Sequence, residues 1–461
     1  MKSHLKRVGT TVPLFSLRTI SEPQKPGTFS AGLAFLDWLS KTHQKAWQLL
    51  PLDQTHLEPN SPTIHVPSPY KGYGIGLDPQ FLSATPPSPK PSSFTRFVST
   101  HKFWLKDYAI FCALRDYYKT DNWTKWDKSP LLKKKLTPQI NQHIKIQWIL
   151  HHQYSLIRKK ARKLNILLIG DLSFYLPKES PLVWSNQHLF DISTSGKLKS
   201  VSGLPDGPKA HFGRQVWGHP LYLWHKSKLQ APIINLFKTR LTYLAYLFDF
   251  VRLDHAKGFY AYGSIDKTNQ KNDSIKTGPG SAALKALLDH GQKIGLKIFA
   301  EDSGDHLKGL RNTLTKYHTS GIRVFRYALT TRKKPKLHPR FTNIANYPQN
   351  SIAITTTHDT EPLLSYLKNL TLNQRRLLAL HAKIKFTPNL KIFASRIRQA
   401  IVNSPSFISL IPIQDWLLTT DRINTPGTES AINDPNWRYQ LKTPVEKLPI
   451  KSILKTIPHF N

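Results

Sequence analysis

The sequence predicts the α/β class, and within it a (β/α)8 TIM barrel carrying inserted, partly helical subdomains. Three observations predict it. Helix-like and strand-like segments alternate nearly throughout, as in a parallel sheet covered by helices. The strand-like segments are short apolar runs of the kind buried on both faces. Three of them end on an acid: FDFVRLD at Asp254, KIFAE at Glu301 and SIAITTTHD at Asp359. In such barrels the C-terminal strand ends carry the chemistry. The chain has 461 residues, and a minimal barrel takes about 250, so insertions use up the rest.

The elements follow in order. The basic start (Lys2, Lys6, Arg7) precedes TTVPLFSL, whose apolar stretch is short, broken by Pro13 and without a small-residue cleavage site. It reads as a first strand rather than a signal peptide. AGLAFLDWLSKTHQK (residues 31–45) reads as a helix and AWQLLPL as the second strand. Residues 59–93 are rich in Pro, Gly, Ser and Tyr and read as loop. Residues 59–150 are expected to form a loop and helical insertion. Its helices are FWLKDYAIFCALRDYY and the start of HIKIQWILHHQYSLIRKKARKLN. NILLIGDLSFYL gives a strand ending near Asp171. A long loop follows, SVSGLPDGPKAHFGRQVWGHPLY, and then a helix, RLTYLAYLFD. After FDFVRLD come the helix GPGSAALKALLDHGQKIG, the strand KIFAED, the helix HLKGLRNTLTKYHTS and the strand GIRVFRYAL. SIAITTTHD and IPIQDWLL read as the last strands. Residues 1–461 are expected to form a single catalytic domain with a basic tail over 440–461.

Composition narrows the partners. Lys plus Arg is 66 against 28 for Asp plus Glu, a net charge of +38. Such a field attracts polyanions. The basic residues are spread along the chain, so they read as a solvated surface with no specific nucleic-acid site. The single cysteine, Cys112, excludes an internal disulfide framework and sits in a helical pattern as a core residue. No apolar run approaches the roughly 18 residues of a membrane span. A cytoplasmic protein without membrane partners is expected.

Residues two apart on a strand share a face, so Arg252 and Asp254 point into one mouth. A guanidinium beside a carboxylate favours its ionised form, as a glycosyl nucleophile needs. A Glu301 in a partly dry cleft holds its proton longer, as a general acid needs. Asp359 would be a third acid, binding sugar hydroxyls. His255 and His358 adjoin two of these acids as hydrogen-bond donors. A metal site of Asp254, His255, His358 and Asp359 is disfavoured, since neighbours on a strand point opposite ways and no HxH or HExxH spacing occurs. Any single acid at a strand end can also be a helix cap or turn former. Tyr70, Tyr73, Trp184, Phe212, Trp217 and Tyr222 lie in Gly- and Pro-rich segments. They can stack on sugar rings or pack the loops onto the barrel.

The chain resembles the 4-α-glucanotransferases (amylomaltases, disproportionating enzymes) of the α-amylase clan. The resemblance runs from PLFSLR to NTPGT near Thr428. It rests on WQLLPL, SPY, LLIGDLSFYL, VWSNQHLFD, QVWGHPLY, VRLDH, GPG, AEDSG, NYPQNS, TTTHD, IPIQD and INTPGT, in that order. It implies transfer of an α-1,4-glucan segment to a glucose or maltodextrin acceptor, by a retaining double displacement without cofactor or metal. By motif, Asp254 matches the nucleophile, Glu301 the acid/base and Asp359 the transition-state stabiliser. Arg252, His255 and His358 match residues around the transferred sugar. Tyr70, Asp171, Gln215, Trp217 and Asn424 match glucan-contacting or supporting positions. The chain departs from the family at HDTE, where Glu361 replaces an Asp, and at Ala256, usually a large residue. It departs again in the loop over 201–220, with Arg214 before Gln215 and His219 for Asn. The early Gly-rich turn, here GTFSAG, is altered too. Two rival readings are an α-glucan hydrolase or branching enzyme on the same barrel, and a catalytically retired basic relative that binds polyanions.

Overall fold

The computed structural model describes residues 6–457 apart from 59–60, 85–89, 128, 207–212, 305–306, 330–335, 427 and 429–434. Twelve strands form among the described residues: β1 (Arg7–Thr11), β2 (Ala46–Gln48), β3 (Leu167–Leu172), β4 (Ser200–Leu204), β5 (Gln215–Pro220), β6 (Phe250–Leu253), β7 (Ala261–Asp266), β8 (Ser274–Thr277), β9 (Lys297–Ala300), β10 (Ser320–Val324), β11 (Ser351–Ile354) and β12 (Ile408–Pro412). Eight close a barrel in the order β1-β2-β3-β6-β9-β10-β11-β12 and back to β1. Every pairing in it is parallel. This is the predicted (β/α)8 barrel.

The alternation of side chains along the strands builds the interior in layers. Ile169, Phe250, Phe299, Ile322, Ile352 and Ile408 are buried together inside the barrel. Asp171, Arg252 and Glu301 stand two residues further on, so a charged layer rests on an apolar floor. Gly9 of β1 lies so close to its neighbour that a Cβ there would come 2.1 Å from the Ala46 carbonyl oxygen, which accounts for glycine in this strand.

The helices obey the sequence pattern. Phe29–Lys41 starts at Thr28, whose side chain accepts from the Ala31 amide, and it buries Phe35, Leu36, Trp38 and Leu39. Leu105–Tyr118 buries Cys112 within its core face, as expected, and burial pushes that thiol up to about 11. Thr137–Lys163 runs through the expected insertion boundary at residue 150. The basic tail is also part of the packing: Leu441, Val445, Leu448 and Ile453 are buried, and the Leu441 amide donates to the Ser16 carbonyl.

Three expectations shift. The first strand is Arg7–Thr11, one segment earlier than TTVPLFSL suggests, because Pro13 turns the chain into a short 3-10 helix, Leu14–Ser16. The last strand is Ile408–Pro412, and IQDWL forms a short helix, Ile413–Leu417. The long loop over 201–220 contains β4 and β5, which join β7 and β8 in an antiparallel sheet of order β5-β4-β7-β8 beside the barrel mouth. Its Gly, Pro and aromatic content hid two short strands.

Candidate active site

An open cleft of about 1130 Å3 lies over the C-terminal end of the barrel. Of the residues singled out in the sequence, Tyr70, Gln215, Trp217, Asp254, His255, Glu301, Asp359 and Asn424 line it. Asp171, Arg252 and His358 are buried just beneath, at 2%, 6% and 6% exposure. All eleven therefore meet.

Arg252 is the hub. Its Nη1 lies 2.6 Å from Asp171 Oδ2 and 2.8 Å from Asp254 Oδ1, and its Nη2 lies 2.7 Å from Glu301 Oε2. Tyr70 Oη donates to Asp171 Oδ2 at 2.7 Å and meets His358 Nε2 at 2.9 Å. The Tyr70 and His358 rings stack with centroids 5.3 Å apart. His255 takes a left-handed backbone conformation, φ 45°, straight after the strand-end acid. Such strain in a non-glycine residue collects at functional sites. Here its amide donates to Glu301 Oε2 at 3.0 Å.

Asp359 sits beyond the strand tip where the sequence placed it, because β11 ends at Ile354 and the TTTHD segment turns over the mouth. Thr355 and Thr356 hydroxyls donate to Asp415 Oδ2 at 2.5 and 2.7 Å and fix that turn. Asn424 Nδ2 donates to Asp359 Oδ1 at 2.7 Å. Arg422 holds both partners by their backbones: its Nε donates to the Asn424 carbonyl at 2.6 Å and its Nη2 to the Asp359 carbonyl at 2.9 Å.

The electrostatics differ from the sequence expectation. Burial pushes the Asp254 carboxyl well up, and Asp171, Glu301 and Asp359 add to this, against Arg252. Burial also acts on Glu301, but Arg252 and the His255 amide outweigh it and hold the group below the ordinary glutamate value. The reason is geometric. Arg252 makes well-aligned hydrogen bonds to Asp171 and Glu301, and Asp254 shares what remains of its charge. The surroundings thus push the two carboxyls in opposite directions, Asp254 up and Glu301 down. Burial acts on Asp359 as well, yet His358, Asn424 and Arg252 bring it to about 2, so it is ionised. Burial lowers His255 to about 3 and keeps it neutral. Among the described residues no group of His, Cys, Asp and Glu suits a metal ion.

The aromatic candidates divide. Tyr70 and Trp217 line the cleft. Tyr73 and Tyr222 are core residues, with Tyr222 Oη donating to the Phe174 carbonyl at 2.9 Å. Trp184 packs near Phe111, with centroids 5.9 Å apart, and Phe212 lies outside the described residues. Sequence reasoning missed Lys71, Tyr175, Lys257, Ser303, Tyr327 and Trp437 in the cleft lining. Ser303 and Lys257 lie within three residues of a candidate acid, a signal that was there. Trp437 comes from a segment with no strand or helix to point at it. Of the departures, Arg214 pairs with Asp273 at 2.7 Å and ties β5 to the β7–β8 connection. Glu361 pairs with Arg326 at 2.8 Å.

A closed parallel barrel whose mouth gathers four carboxylates around one guanidinium, under the rings of Tyr70, Trp217 and Trp437, defines a carbohydrate-active barrel enzyme. The chain belongs to the 4-alpha-glucanotransferase family, whose sequence profile matches residues 77–446. It is thus an enzyme that transfers segments of α-1,4-glucan. It is similar to the 4-alpha-glucanotransferase of Aquifex aeolicus, 28% identical, with 88% of this chain and 90% of that protein aligned. It is similar to that of Clostridium butyricum, 27% identical over 90% of this chain and 93% of that one. Its fold matches the amylomaltase of Streptococcus agalactiae, solved in complex with acarbose, with a TM-score of 0.80, 22% identity and 98% of each chain covered. Among the described residues no helix is long and apolar enough to cross a membrane.

Proposed function

We propose that the transfer runs as a retaining double displacement centred on Asp254 and Glu301. Asp254 attacks the anomeric carbon of the donor. The glycosidic bond breaks, its oxygen takes the proton of Glu301, and a glycosyl ester forms on Asp254. A 4-hydroxyl of an incoming glucose or maltodextrin then gives its proton to Glu301 and attacks the same carbon, freeing Asp254. Two inversions retain the α configuration. Ionised Asp359 supports the oxocarbenium-like transition state, and His255 and His358 donate to sugar hydroxyls.

The observation that carries this reading is the bridging of both acids by Arg252, at 2.8 Å and 2.7 Å. A shared guanidinium draws the two carboxyls together, as a retaining pair at about 5–5.5 Å requires and an inverting pair does not. The first step needs Glu301 protonated and Asp254 ionised. A glycosidic oxygen can only accept a hydrogen bond, so donor binding selects the state with Glu301 protonated and Asp254 anionic. Transfer outruns hydrolysis because Gln215, Trp217 and His219 on β5 wall the cleft and keep an acceptor sugar in place of water. No cofactor takes part. The basic surface needs no specific nucleic-acid partner, and a lone buried cysteine fits a cytoplasmic setting.

Incubation with maltotriose tests this. Glucose plus dextrins longer than maltotriose are expected; shortening alone would point to a hydrolase.

A further inference from the structure

Glu301 uses its two oxygens differently. Oε2 accepts from Arg252 Nη2 at 2.7 Å and from the His255 amide at 3.0 Å. A carboxylate oxygen filled in this way has no lone pair left for a proton. The proton that the reaction moves must therefore sit on Oε1. Ser303 Oγ donates to Oε1 at 3.2 Å, and Ser303 and Glu301 both line the cleft. That is long for a hydroxyl on a carboxylate, as catalytic hydrogen bonds are before substrate tightens them.

The chain builds this contact just past β9, which ends at Ala300. Residues two apart keep to one side, so Glu301 and Ser303 face the cleft together. Asp302 between them faces away. Its carboxylate accepts from the Ile322 amide at 2.9 Å, and its carbonyl accepts from Arg311 Nη2 at 3.1 Å. The backbone is thus clamped from behind at the residue that joins the two side chains. Gly304 follows with φ 102°, a conformation that side chains resist, and the extended run ends there.

We propose that Ser303 is a positioning residue for the acid/base, holding Oε1 of Glu301 towards the glycosidic oxygen of the donor. A hydroxyl beside an ionised carboxylate can only donate to it. The contact therefore strengthens as Glu301 gives up its proton, and it makes the group a better acid in the first step. Without it, Oε1 can swing its proton off line and releases it less readily. A donor whose leaving group needs no proton is indifferent to both losses.

The inference rests on the double displacement proposed above, and the test separates the two. In the full chain, Ser303→Ala should lower kcat/KM for maltotriose about fivefold to tenfold. Its kcat/KM for fluoride release from α-maltosyl fluoride should stay within about twofold of the parent, since fluoride leaves without an acid. Ser303→Thr keeps the hydroxyl and should recover most of the loss. Asp254→Asn provides a background in which Glu301 titrates without the nucleophile beside it. There, infrared difference spectra should follow the carboxyl band that Glu301→Gln removes. That band should titrate about one pH unit higher when Ser303→Ala is added. An unmoved band, or maltotriose activity equal to the parent's, would overturn the positioning role. So would equal losses on both donors, which would mean damage to the cleft. A parent chain that transfers nothing from maltotriose would overturn the substrate reading itself.

Discussion

Glu301 and Asp302 are neighbours in sequence and belong to two opposite kinds of site. Glu301 faces the cleft, where Asp171, Asp254, Glu301 and Asp359 are arranged about one guanidinium, Arg252. Asp302 faces away and is ringed by Arg311, Arg323 and Arg340, with the Ile322 amide donating to it at 2.9 Å. One acid there meets three bases. A fully neutralised carboxylate is inert and serves as a peg between β9 and β10. An under-neutralised cluster must share protons, and shared protons are what acid–base chemistry uses. Side-chain alternation at the end of β9 sends two adjacent acids to these two fates.

The largest contrast comes from amide substitutions in the two places. Asp254→Asn should lower transfer by about 10^4-fold or more with little change in melting temperature, since it removes the attacking oxygen and relieves crowding among acids. Asp302→Asn should do the reverse: about 3–5 kcal/mol of stability lost through three uncompensated guanidinium groups, with activity per folded molecule near that of the parent. Steady-state kinetics and thermal melts on both proteins check this. If Asp302→Asn lost activity without losing stability, the division between peg and catalyst would be wrong.

Arg252→Lys comes next. A point charge cannot reproduce a fork reaching three carboxylates, and kcat should fall about 10^2-fold while the far-ultraviolet spectrum stays unchanged. Arg422→Gln should lower kcat about tenfold with KM little changed, because the splint between the Asp359 and Asn424 backbones is removed. Arg422→Lys should recover part of the loss.

The smallest effect concerns ionisable groups with no counter-charge near them among the described residues. His101 and His151 lie with ring centroids 5.0 Å apart among Phe97, Trp104 and Tyr243. Burial lowers His101 to about 4 and His151 to about 3. The unfolded chain takes up these protons first, near pH 6.5. Stability from the neutral pair is therefore complete above about 6.5 and drains away as pH falls towards about 4. His151→Gln should flatten the fall of melting temperature across that window.

Much of this was legible in the sequence. The barrel showed because eight buried strands leave apolar runs, and the cluster showed because period-two alternation fixes which residues share a face. Three things did not show. The β4–β5 hairpin is short and Gly-rich, so its strands carry no apolar run. Asp359 is set by Asp415, a residue 56 positions on that no local pattern connects to it. The opposite shifts of Asp254 and Glu301 depend on how Arg252 aims its hydrogens, which spacing does not encode.

The most direct test is to trap the reaction half-way. Glu301→Gln, supplied with an α-maltosyl fluoride whose leaving group needs no acid, should accumulate an ester because no base remains to activate the acceptor. Digestion and mass spectrometry should then find the added maltosyl mass on the peptide containing Asp254. Label on Asp359, or turnover with inverted β product and no labelled peptide, would contradict the double displacement.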